Sequence, residues 1–326
     1  MHGGTVRLGV AMSDREVSVR RRPKGDNEPG ADWLNQTERG QLWLIQISFR
    51  MAVLLGRRFM GPVVSLVALW YRVVDRSAVA SSRDWLTRIH GRPPGFWEIY
   101  RHLRTFAQTT LDKVFFLTGR TEQLIVTNHG GHLLEAQVAS GQGALLLGSH
   151  LGSYDAMRSV GMEMGLPVQV VGYFENASMI NSLLKRLNPG LAEQVIHLGD
   201  DPVGVMVRLQ GQLQKGGLVA VAGDRIGLNE RVVMANFMGQ PAPFAGGPFL
   251  LASVMRCPVF LVCGIYTGPN RYDLICEHFA DRIDLPRSDR ERALAVFVQA
   301  YADRLESLAR QKPNNWFNFF DFWSRP

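Results

Sequence analysis

The stretch Ala144-Leu145-Leu146-Leu147-Gly148-Ser149-His150-Leu151-Gly152-Ser153-Tyr154-Asp155 decides how the rest of the chain is read. Four consecutive apolar residues closed by small ones suit a strand buried on both faces. The amphipathic run over 153–165 then predicts a helix, with Gly152 or Ser153 at its start. A buried strand that gives way to a helix through a short polar loop is where open α/β sheets bind ligands.

The same texture continues outward. Short apolar runs at 124–126, 168–171, 195–197 and 218–221 read as buried strands, with helices expected over 177–188 and 202–215. Strands at 231–237, 258–266 and 271–278 and a long helix at 288–311 complete the series. Such alternation predicts an α/β fold with a mixed, largely parallel central sheet covered by helices on both faces. Upstream, residues 31–120 read as helical throughout. The clearest helix spans 94–118, where Phe96, Ile99, Leu103, Phe106, Leu111, Val114 and Leu117 recur at helical spacing. Residues 1–30 read as a disordered basic tail and 31–326 as one domain, 31–120 its membrane-facing helical part and 121–326 its α/β part.

Composition narrows the function. With 326 residues, 46% of them hydrophobic, the chain can bury a large core, which excludes low-complexity disorder. Three cysteines, Cys257, Cys263 and Cys276, make neither a disulfide scaffold nor a zinc-ligand spacing, and read as buried thiols. The net charge of +7 is unevenly placed. Residues 31–120 carry 13 basic and 6 acidic residues, whereas 121–326 carry 17 and 19. The same 31–120 segment holds Trp33, Trp43, Trp70, Trp85 and Trp97, five of the seven tryptophans. Basic residues interleaved with indoles on helices suit an anionic lipid surface better than nucleic acid, for which no zinc-finger or aromatic RNA-binding signature is present. The longest apolar stretch, about Phe59 to Tyr71, is shorter than the roughly 20 residues a span requires, and the first 30 residues lack the apolar core of a signal peptide. The aromatic tail from Asn314 to Trp323 must pack on the body or touch lipid.

Chemistry concentrates where strands end. His150 and Asp155 stand five positions apart, which on a continuous helix would splay them by about 140°. With His150 in the loop and Asp155 in the first helical turn, the carboxylate can turn back onto the imidazole, fix its tautomer and leave the other nitrogen as a general base. Gly152 and Ser153, at the helix start, would lie against substrate, where free N–H groups meet a developing oxyanion. Such a pair also arises by chance, so its place at a strand end carries the weight. Asp224-Arg225 follows strand 218–221 in the same way; the guanidinium fork suits a phosphate, a surface ion pair being the plain alternative. Arg158, one turn after Asp155, faces either the cleft or solvent. Glu175, Asn176, Lys185 and Arg186 read as a solvated face. His129 and His132 lack a nearby third ligand, so no metal is expected. No nucleophile elbow, phosphate-cradling loop or dinucleotide fingerprint occurs. That favours direct activation of a substrate hydroxyl or amine.

These pieces, in this order, resemble the bacterial lipid A biosynthesis acyltransferases of the lysophospholipid acyltransferase-like superfamily. The resemblance rests on Trp33 to Gly40, Phe106 to Asp112, His150 to Asp155 as a His-x4-Asp motif, and Gly223-Asp224-Arg225. Phe237-Met238-Gly239, Pro243 to Pro248, Cys257-Pro258-Val259 and Trp316 to Trp323 extend it. It implies a glycerolipid acyltransferase-like fold with an N-terminal helical membrane-docking segment. The implied activity moves a fatty acyl group from an acyl carrier protein or coenzyme A thioester to a hydroxyl, or amine, of a membrane lipid or glycolipid, with no resident cofactor. It also implies residence at the cytoplasmic face of the bacterial inner membrane. His150 would be the base, Asp155 its orienter, and Asp224 and Arg225 would lie at the substrate cleft. The chain has Tyr173-Phe174 where typical members have Tyr-Arg, which directs the expected acceptor toward other acylated glycolipids, aminolipids or aryl-polyene pigments. A thioester hydrolase and a catalytically inactive lipid-binding protein are the alternatives.

Overall fold

The computed structural model describes residues 51, 52, 54, 56–172, 194–197, 202–227 and 230–324. The expected basic tail, the helix around Trp33 and Trp43, the helix over 177–188, and Tyr173, Phe174, Glu175, Asn176, Lys185 and Arg186 lie outside them.

The strand that opens the reading is β2 (Ala144–Gly148), buried at all five positions. Its side chains alternate between two apolar cores, as the two-residue period of a strand requires. Leu145 and Leu147 enter one core together with Trp85, Leu103, Val298 and Tyr301. Ala144 and Leu146 enter another with Leu134, Leu166, Phe260 and Val262. A strand apolar on both faces belongs in the middle of a covered sheet. β2 does lie there, with parallel neighbours β5 (Leu218–Ala222) and β8 (Val259–Gly268). β3 (Val168–Gly172) and β4 (Val195–His197) extend the parallel set beyond β5. On the other side β9 (Arg271–Ala280) returns antiparallel to β8, and β1 (Ile125–His129) runs parallel to β9. The order is β1-β9-β8-β2-β5-β3-β4, a mixed sheet with five parallel strands at its heart. β6 (Val232–Phe237) and β7 (Gln240–Ala245) form a separate antiparallel ribbon.

Among the described residues, helices α1 (Arg57–Val74), α2 (Arg76–His90) and α3 (Phe96–Thr118) precede the sheet. They answer the helical reading of this part of the chain. α1 and α3 are pinned together at Asp112, whose fully buried carboxylate accepts from Arg57 at 2.7 and 2.8 Å, from the Tyr272 hydroxyl at 2.8 Å and from Gln108 at 2.9 Å. A buried carboxylate is tolerable only when paired and hydrogen-bonded in this way. α4 (Gly131–Ala139), α5 (Tyr154–Glu163), α6 (Pro202–Gln214), α7 (Gly247–Met255) and α8 (Arg290–Gln311) follow. Cys257, Cys263 and Cys276 are buried free thiols. None of the described helices is long and apolar enough to cross a membrane.

The aromatic tail packs on the body. Trp316 is completely buried and stacks on Trp85 with ring centroids 5.0 Å apart, and Phe322 closes over both Trp316 and Phe237. Along the loop after β2 the tail pairs as a short antiparallel segment. Leu151 bridges to Trp316, the Gly152 N–H donates to the Asn315 carbonyl at 2.8 Å, and the Phe317 N–H donates to the His150 carbonyl at 3.0 Å. The far end of the chain therefore forms one wall of the loop that the sequence singled out.

Candidate active site

Parallel neighbours in register end side by side. Gly148, the last residue of β2, lies opposite Ala222, the last of β5. Two residues beyond each end stand His150 and Asp224, and the register brings them together. The His150 backbone N–H donates to Asp224 Oδ2 at 2.8 Å, and Nδ1 lies 3.0 Å from Asp224 Oδ1. A carboxylate can only accept, so a neutral imidazole in this pair carries its proton on Nδ1 and leaves the Nε2 lone pair free.

The carboxylate on the imidazole is thus that of Asp224, not that of Asp155 as the five-residue spacing predicted. Asp155 occupies the first turn of α5, where a negative charge suits the helix dipole, and its Oδ2 lies 3.6 Å from Lys113 Nζ on α3. It ties two helices together. Ser153 is the N-cap of α5, its Oγ accepting from the Ala156 N–H at 3.2 Å. Gly152 has φ +88°, and a Cβ there would stand 2.1 Å from the Gly264 carbonyl oxygen, so the turn admits only glycine. Arg158 donates from Nε to Gln194 Oε1 at 3.3 Å, facing the residue before β4. Arg225 turns to the tail, with Nε donating to Asn318 Oδ1 at 2.7 Å and Nη2 to the Phe317 carbonyl at 3.2 Å.

The site is largely desolvated. Asp224 is 1% exposed, while a quarter of the His150 side-chain surface remains open. Burial lowers the His150 pKa from its ordinary value; the Arg225 charge adds to that, and Asp224 opposes both. Burial by itself would raise the Asp224 pKa. The attraction of His150 and its hydrogen bond, then Arg225 and Asn318, outweigh it and hold the carboxyl below its ordinary value. The result at neutral pH is an ionised carboxylate beside a neutral imidazole, the protonation state a general base needs.

Two residues escaped the sequence reading. Tyr154 sets its ring edge-on to His150, centroids 5.5 Å apart, and its buried hydroxyl has no hydrogen-bond partner among the described residues. An orphaned hydroxyl beside an imidazole is a natural place for a ligand oxygen. Asn318, from the tail, donates from Nδ2 to Asp224 Oδ2 at 2.9 Å. Nothing in local spacing announces a partner 94 residues away. A shallow hollow beside Asp224 is lined by Ile226, Pro243, Phe320 and Phe322. His129 stands apart from all this, 3.9 Å from Asp273, and no group of three or more metal-ligating side chains occurs among the described residues.

A family model described as bacterial lipid A biosynthesis acyltransferase matches residues 31–325, nearly the whole chain. No curated protein matches it.

Proposed function

The chain belongs to the bacterial lipid A biosynthesis acyltransferase family, and from that premise we propose that it moves a fatty acyl group from a carrier-protein or coenzyme A thioester to a hydroxyl of a membrane lipid or glycolipid. The observation that carries this reading is the His150–Asp224 pair, with Nε2 free, at the ends of two adjacent parallel strands.

His150 Nε2 takes the proton of the acceptor hydroxyl as its oxygen attacks the thioester carbonyl carbon. The imidazolium so formed is stabilised by Asp224 through Nδ1–H. The C–O bond forms, the carbonyl π electrons move onto oxygen, and the tetrahedral oxyanion is met by the Tyr154 hydroxyl and by N–H groups at the start of α5. Collapse of this intermediate restores the carbonyl, breaks the C–S bond and expels the thiolate, which takes the proton from the imidazolium. Ester and thiol leave, and the base is regenerated. No acyl-enzyme forms.

The acceptor reaches this site from a bilayer. On α1 the stripe Met60, Val64 and Ala68 is buried, yet the opposite face also presents apolar residues: Phe59, Leu66, Trp70 and Val73 are exposed, and Trp97 of α3 is 63% exposed. A helix apolar on both faces, flanked by Arg57, Arg58 and Arg72, suits the headgroup level of an anionic membrane, here the cytoplasmic face of the bacterial inner membrane. The same positive charge attracts an acidic carrier protein.

The test incubates the full chain with a labelled acyl carrier protein thioester and a total membrane lipid extract. Label in a new lipid with wild type, lost in His150→Ala, supports the reading. Label released as free fatty acid in a His150-dependent way makes the protein a thioester hydrolase. Equal labelling by both proteins removes His150 from the mechanism.

A further inference from the structure

The C-terminal tail reaches further into the site than packing alone requires. Asn318 is 3% exposed, and its amide bridges two charged groups: Nδ2 donates to Asp224 Oδ2 at 2.9 Å, and Oδ1 accepts from Arg225 Nε at 2.7 Å. The orientation of this amide is fixed by its partners, because a carboxylate only accepts and a guanidinium only donates. With His150 N–H on the same Oδ2 and His150 Nδ1 on Oδ1, Asp224 has both oxygens engaged and cannot rotate about χ2 without losing a bond. We propose that Asn318 is a positioning residue for acyl transfer: its amide locks the Asp224 carboxylate in the plane that faces the His150 ring and interposes a neutral group between that carboxylate and Arg225. The proposal rests on the reading of His150 as the base.

Alternative side chains show why an amide is needed. An aspartate at 318 keeps the shape and the acceptor for Arg225 but sets a second negative oxygen against Asp224. A leucine keeps the volume and leaves one oxygen of Asp224 and Nε of Arg225 short of a partner in a buried place. The segment that presents Asn318 is itself held tightly. The Trp316 carbonyl accepts from His102 Nε2 at 2.6 Å, the Phe317 carbonyl from Arg225, and Asn315 exchanges bonds with the Tyr266 N–H at 2.8 Å and carbonyl at 3.0 Å. A residue meant only to fill space would not need its backbone fixed on both sides.

Among the described residues the ionisable neighbours of the pair are few, and adding a negative charge beside it has a definite sign. Arg225 follows Asp224 in the chain, Tyr154 comes from α5, Tyr301 from α8 and Cys263 from β8; Arg225 is the charged one among them at neutral pH. Replacing neutral Asn318 by aspartate adds negative charge beside the His150–Asp224 pair and stabilises the imidazolium. The base then titrates at higher pH.

The experiment compares wild type, Asn318→Asp, Asn318→Leu and His150→Ala, each as the full chain. Two quantities are read: the pH profile of acyl transfer, and the titration of the His150 ring followed by NMR in histidine-labelled protein. For Asn318→Asp the acidic limb and the ring titration both move up, by about one pH unit. For Asn318→Leu kcat falls about tenfold or more while KM for the thioester stays within about twofold. If Asn318→Leu does not fold, Asn318→Asp supplies both readouts. The proposal is overturned if both variants keep the wild-type limb, ring titration and kcat. That outcome alongside an inactive His150→Ala removes the positioning role alone, whereas an active His150→Ala removes the underlying reading.

Discussion

His150 and Asp224 are 74 residues apart in the chain, and their side chains meet at 3.0 Å because each follows by two residues the end of a strand, and those strands are parallel neighbours in register. The relationship is one of topology. It needs β2 and β5 to be adjacent, Gly148 to face Ala222, and both loops to leave the sheet at the same edge. The Gly223 N–H extends the ladder by donating to the Gly148 carbonyl at 3.0 Å, and the Tyr301 hydroxyl donates to the same oxygen at 2.7 Å. The start of the loop that carries His150 is thereby anchored from two directions.

Because burial and Arg225 lower the His150 pKa more than Asp224 raises it, the ring stays neutral to lower pH than an ordinary histidine. A base must be unprotonated, so the acidic limb of kcat/KM should have its midpoint below about 6.5, the ordinary value for this side chain. A pH profile with saturating acceptor lipid checks this. A midpoint above that value would mean that Asp224 dominates the ring.

His102 offers a separate prediction about stability. Its Nε2 donates to the Trp316 carbonyl, which leaves Nδ1 to accept from the Ser82 hydroxyl at 2.9 Å, and its burial lowers the pKa to about 4. Between that value and about 6.5 the unfolded chain binds more protons than the folded one, so stability rises with pH. The contribution, about 3 kcal/mol when complete, is present above pH 6.5 and is lost as pH falls toward 4. Thermal unfolding between pH 7 and 4.5 should show a falling Tm whose slope is reduced in His102→Gln. An unchanged slope would place the acid sensitivity elsewhere.

The exposed apolar face of α1 and α3 should bind vesicles. Replacing Phe59, Trp70 and Trp97 together by serine removes side chains that are each more than half exposed, so the fold should keep its Tm. Sedimentation with anionic phospholipid vesicles should fall by about tenfold or more, and the wild-type binding should weaken with salt. Vesicle binding equal to wild type would remove this face from the membrane contact.

What the sequence showed and what it hid follow from the range of each interaction. β2 and β5 were legible because a continuous apolar run means burial on both faces wherever the strand sits. α3 and α8 were legible because their core contacts repeat at the helical period. β7 was hidden by Pro241 and Pro243, which argue against a strand inside a wide sheet but are tolerated in a two-stranded ribbon, where the ladder runs along one side of the strand. α4 carries little amphipathic signal and begins at a pair of glycines, which are poor helix formers. The loop after β2 drew attention because it closes a buried strand, but the carboxylate partner of His150 was sought along the chain, where Asp155 is nearest, rather than across the sheet. Both Asp224 and the strand before it were in view; the missing step was that parallel strands of matched register bring equivalent exit positions together. Asn318 had no such signal, since its place depends on the aromatic tail folding back along residues 150–152.

Asp224→Asn against Asp155→Asn in the labelled acyl-transfer assay tests the central claim most directly. An amide at 224 can offer its NH2 to Nδ1 and trap the wrong tautomer, so the rate should fall by about a thousandfold or more with the fold intact. Asp155→Asn, which weakens the start of α5 and its contact with Lys113 but leaves the His150–Asp224 pair in place, should stay within a few-fold of wild type. Loss of activity in Asp155→Asn with full activity in Asp224→Asn would contradict the account.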